Sequence, residues 1–98
     1  MNVFINQDFI DMERKVNTVL EEYEELKYET PDYLIFVLTP IKETLLGARQ
    51  SMVNWISELD KNRAILEHVF GTKVTMSDEE REFRDRIDLL MAKIDAAC

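Results

Sequence analysis

Two glycines and two prolines are all that punctuate this 98-residue sequence. Glycine supplies the backbone freedom of tight turns and proline ends a hydrogen-bonded ladder. A chain this poor in both folds into a few long elements. The four positions agree with helices. Pro31 after Thr30, and Pro40 after Thr39, each fit the first helical position, where the missing N–H is no loss. Gly71 follows a long periodic stretch and fits the residue that closes a helix. Ser77-Asp78-Glu79-Glu80 spells a capping box: the serine accepts from the third helical amide while Glu80 reaches back.

Apolar periodicity fills in the elements. Phe9, Met12, Val16, Val19, Tyr23 and Leu26 recur at alternating steps of three and four. Ile41, Leu45, Ala48, Met52, Trp55, Leu59, Leu66 and Val69 keep the same rhythm, with Asn62 interrupting, and Phe83, Ile87, Leu90, Ile94 and Ala97 continue it. Segments sharing a coiled-coil-like period pack along one another at shallow angles. The expected fold is all-α: one domain over 1–98, a small three-helix bundle with helices at 8–28, 40–70 and 78–96. Residues 31–38 are rich in β-formers, but a lone strand has no partner. A short apolar helical segment leading into a kink at Pro40 is expected instead. Proline disfavours helical geometry at Thr39, which argues against one straight helix from 31 to 70.

At about 1.5 Å per residue the middle helix is roughly 46 Å long and its neighbours roughly 30 Å, so it overhangs them. It also carries further apolar residues, Leu46, Val53, Ile56 and Ile65, read as a second row. Acids and bases balance over residues 32–76, whereas residues 1–31 carry −5 and 77–98 carry −3. Two copies can therefore meet along the middle helix without stacking like charges. Leu46, Met52, Val53, Trp55, Ile56 and Ile65 are the expected interface of a homodimer. In the competing arrangement, residues 31–38 fold back over the second row and close a monomer. Asn62 either sets register against a partner copy or lies on an exposed overhang.

Chemistry-bearing patterns are few. His68 is the sole histidine and Cys98 the sole cysteine, at the last position. Ser51, Ser57 and Ser77 have no histidine near them in sequence, and Gly47 and Gly71 are too isolated for a phosphate loop. The position two after Trp55 is Ser57, so the Trp-x-Gly turn of secreted helical hairpins is not present. One cysteine, no basic-then-apolar leader and no apolar run longer than Tyr33–Leu38 lead to the expectation of a cytoplasmic protein that does not enter membranes.

The sharpest feature is acidic. Glu21, Glu22, Glu24 and Glu25 occupy adjacent turns of the first helix, and Asp78, Glu79 and Glu82 open the last. Glu22 with Glu25, and Glu82 with Asp85, are carboxylate pairs three residues apart. The arrangement resembles the all-α NTP pyrophosphohydrolases, which hold magnesium on such pairs. The resemblance implies a magnesium-dependent nucleotide hydrolase, although 56 residues separate the pairs, wider than that family's spacing on consecutive helices. Otherwise the carboxylates form a solvated face with Lys27, Arg81, Arg84 and Arg86 as intrahelical partners.

A net charge of −8 repels phosphate backbones and suits basic protein surfaces. The leading expectation is a non-enzymatic module without cofactor or metal. It would bind and modulate another protein, in the manner of phage or mobile-element accessory and inhibitor factors, without touching nucleic acid directly. The alternatives are an acidic DNA mimic that occupies a basic site, and the nucleotide hydrolase.

Overall fold

The computed structural model describes all 98 residues. It contains α1 (Gln7–Glu29), α2 (Thr39–Phe70) and α3 (Asp78–Ala97), a 3-10 helix at Asp32–Leu38, and no strand. The expected all-α bundle, with its long central helix and short helical segment before it, is the fold observed.

Local chemistry sets the ends. Asn6, which the periodicity does not point to, caps α1: its side-chain oxygen accepts the Phe9 N–H at 3.0 Å. Thr30 is extended, as a residue before proline prefers, and ends the helix. Gly71 closes α2 at φ 66°, a left-handed conformation that costs glycine nothing. Ser77 opens α3 by accepting from the Glu80 N–H at 3.1 Å. The reciprocal half of the capping box is absent. The Glu80 carboxylate turns instead to Arg63, at 2.6 Å, and Arg84, at 3.0 Å. Two charge-assisted bonds in a half-buried setting outweigh one exposed amide.

The junction at residues 30–40 differs from expectation in two details. Pro31 lies outside the 3-10 helix, with φ −60° and ψ 148°, so that helix begins one residue later. Thr39 is helical, at φ −53° and ψ −44°, despite the proline that follows. The chain stays helical there, passing from the 3-10 helix directly into α2. Pro40 sits in the first turn of α2, where its lack of a donor is harmless.

Cross-helix bonds give the directions. Asn2 reaches Glu79, Arg86 reaches Glu13, Lys93 reaches Asn17, and Lys27 reaches the Ala97 carbonyl, so α1 and α3 run parallel. Arg49 pairs with Asp95, and Arg63 with Glu80, so α2 runs antiparallel to both. The core is the shared seam: Phe9, Val16, Leu20 and Tyr23 from α1, Leu45 and Met52 from α2, and Phe83, Ile87, Leu90, Ile94 and Ala97 from α3, closed by Leu38. Every expected seam residue of α3 is buried. Near the start of α1, Phe9 and Phe83 meet edge to face at 5.1 Å between centroids, with Trp55 and Phe4 beside them.

The bundle is long and thin, 58 × 25 × 17 Å. Its radius of gyration is 17.0 Å, against about 13 Å for a compact chain of this length. Its accessible surface is 6956 Å², where a compact monomer of 11.6 kDa exposes about 5,800 Å². No helix is long and apolar enough to cross a membrane.

Candidate functional site

At its C-terminal end α2 outruns both neighbours, and at its start it outruns α3. The register of Arg63 on Glu80 and Arg49 on Asp95 places the start of α3 beside residue 66 and its end beside residue 47. Past Leu59 the seam loses α1, and past Leu66 it loses α3. Only the connector 71–77 folds back there, held by the Arg63 bond to the Val74 carbonyl and the Val74 bond to Glu67. Ile65, Leu66, Val69 and Phe70 are consequently 53%, 44%, 68% and 68% exposed. At the other end α3 stops short of the first two turns of α2, and Leu46 is uncovered. The 3-10 helix packs across the ends of α1 and α2, yet only Leu38 reaches the core; Tyr33, Leu34, Ile35, Phe36 and Val37 face outward.

This geometry revises the expected interface set. Met52 is fully buried inside the chain and belongs to the core, so it faces no partner. Trp55 is half-buried, its ring 6.4 Å from that of Phe9 and 6.3 Å from that of Phe83. Ile56 is half-buried against the core. Leu46, Val53 and Ile65 are exposed, but they do not form one row. Ile65 follows Ile56 by nine residues, about 180° around the helix at 3.6 residues per turn. The 3-10 segment covers none of these three, so the fold-back arrangement is not adopted. Asn62 is exposed where the seam runs out.

Glu21, Glu22, Glu24, Glu25, Asp78, Glu79 and Glu82 are all exposed. Because α1 and α3 are parallel, the two acidic sets lie at opposite ends of the pair, roughly 25 Å apart along the axes. Lys93, and Arg86 held by Glu13, sit between them. The expected intrahelical partners mostly brace neighbouring helices. Arg84 binds Asp60 on α2 as well as Glu80, and Lys27 caps the end of α3. Burial works against the Arg84 charge, but the bonds and charges of Asp60 and Glu80 outweigh it and hold its pKa above the ordinary value. The hydrogen bonds to Glu13 do the same for Arg86, against slight burial. Arg81 alone stays local, loosely paired with Asp78.

The structure does not bring the two carboxylate pairs together. Glu22 and Glu25 lie about 20 Å along the axis from Glu82 and Asp85, far beyond the reach of a shared cation. No three histidine, cysteine, aspartate or glutamate side chains converge on a point. His68 is exposed in the last turn of α2, and Cys98 is exposed at the chain end. The strongest candidate that remains is a surface: the apolar end of α2 at Ile65–Phe70, with the 3-10 face at the opposite end.

Compared with known protein families, curated proteins and solved structures, the chain matches none.

Proposed function

We propose that this chain is a non-enzymatic helical module that binds another protein and modulates it, using the apolar ends of the bundle as contact surfaces. The observation that carries the reading is the uncovered end of α2. Four large apolar side chains on two successive turns stand open to water. Exposed apolar clusters of this kind mark association surfaces, whereas singly scattered ones do not. The area agrees: the surface exceeds that of a compact chain by about 1,100 Å², and a standard interface buries about 800 Å² on each partner. A second copy of the chain is one occupant, since the middle segment is electrically neutral. The single cysteine fits a reducing compartment, and we place the module in the cytoplasm.

The test is affinity capture with the wild type and a Val69→Ser/Phe70→Ser variant as baits, washed at low and high salt. A protein held by the wild type at high salt and lost from the variant supports the reading. A protein that elutes from both baits as salt rises points to charge mimicry by the acidic faces.

A further inference from the structure

We propose that the groove between the start of α1 and the middle of α2 receives an arginine side chain of a partner protein; this rests on the reading of the chain as a protein-binding module. The groove has a volume of about 310 Å³. Its reachable rings are Phe4 and Trp55, both partly exposed, and they are backed by the buried Phe9 and Phe83. Val3 and Leu59 form apolar walls. Its rim carries two exposed carboxylates on different helices, Asp8 of α1 and Glu58 of α2.

Neither carboxylate has an ion-pair partner in the chain. The arginines of α3 are already committed elsewhere: Arg81 to Asp78, Arg84 to Glu80 and Asp60, and Arg86 to Glu13. An aromatic floor attracts cations through the negative faces of its rings, and two unpaired carboxylates select positive charge. A guanidinium fits this combination better than an ammonium. It is planar and weakly hydrated, stacks on rings, and offers donors in a fork that can serve both carboxylates. The apolar stem of the side chain would lie along Val3 and Leu59.

The molecule already uses this chemistry once. Arg86 lies over the Phe9 ring, 5.3 Å from its centroid, while its guanidinium donates two hydrogen bonds to the Glu13 carboxylate. The groove offers the neighbouring rings of Trp55 and Phe4 beside carboxylates that have no ion-pair partner.

Trp55 is the sole tryptophan, so its fluorescence reports on the groove directly. The experiment titrates the full chain with a short neutral peptide bearing one arginine, and with matched peptides bearing lysine or citrulline. The expected result is a saturable change with arginine, weaker binding of lysine, and binding of the isosteric but uncharged citrulline weaker by about ten-fold or more. Asp8→Asn/Glu58→Gln should weaken the arginine peptide about ten-fold and leave the helical circular dichroism unchanged. Equal titrations with arginine and citrulline, no saturable change at millimolar peptide, or an unaltered affinity in the double variant would overturn the proposal. Association through the end of α2 is read separately, by sedimentation of the same double variant. A wild-type chain that shows no saturable arginine binding but still associates through the end of α2 removes this inference alone.

Discussion

The first two-thirds of α2 and its last third carry the same apolar period and meet opposite fates. From Ile41 to Leu59 the seam lies against α1, with α3 joining from about residue 47, and supplies Leu45 and Met52 to the core. From Asn62 to Phe70 the rhythm continues through Leu66 and Val69, but α1 no longer lies opposite and α3 reaches only to about residue 66. The difference is one of length and register. α2 has 32 residues against 23 and 20 in its neighbours, and the ion pairs that fix α3 place its first turn beside residue 66. Apolar periodicity reports that a face is meant to be covered; it does not report by what. In the closed section the cover is the chain itself. At the open end the chain supplies no such cover.

The contrast predicts unequal sensitivity to substitution. The largest effect belongs to the closed section. Ile87 is fully buried, and Ile87→Ala should cost about 2–5 kcal/mol through lost burial and the cavity left behind. Chemical denaturation checks this, and a loss below about 1 kcal/mol would mean that the seam is not packed as described. Next comes the boundary between the regions. Glu80 is held by Arg63 and Arg84, with its side chain 11% exposed. Glu80→Ala should cost roughly 2–3 kcal/mol, because it leaves two half-buried guanidinium groups short of their partner. The same change should free the connector 71–77 that Arg63 ties down, seen as faster amide exchange at Val74.

Ser77→Ala and Asn6→Ala should each cost about 1 kcal/mol by removing a helix cap. An unchanged denaturation midpoint in either variant would show that the helix does not depend on that cap. The smallest effect belongs to the open end. Phe70→Ser removes little intrachain burial, since Phe70 is 68% exposed, and should shift the stability of the dilute chain by less than about 0.5 kcal/mol. A larger loss would mean that the overhang is covered within the chain after all.

How much of this was legible in the sequence follows from the range of each interaction. Caps and seams are local, so Gly71, Ser77 and the buried residues of α3 could be read from spacing alone. Asn6 is legible as well, since an asparagine three residues before Phe9 is a capping signal. The partners of Glu80 could not. Arg63 is 17 residues away, and only the antiparallel register of α2 and α3 brings it near. The same register decides that Met52 is core and that Leu46 is open, two residues the sequence places together on an expected interface. It also separates the acidic pairs, which spacing along the chain cannot show. The aromatic groove is not legible in the sequence, because it joins Phe4 of the N-terminal arm, Phe9, Trp55 and Phe83 across three helices.

The central claim is that the uncovered end of α2 is an association surface. Sedimentation equilibrium tests it most directly on the simplest occupant, a second copy. Ile56→Glu is a poor probe, because Ile56 helps to cover the core and its loss would unfold the chain before it parted two copies. Val69→Glu/Phe70→Glu is the better one, since both side chains stand in water in the isolated chain. The account predicts that the wild type shifts toward twice the 11.6 kDa chain mass as micromolar concentration rises, and that the double variant stays at one chain with its helical signal intact. A wild-type chain that remains a single 11.6 kDa species throughout, or a dimer that survives both glutamates, would contradict self-association through this end.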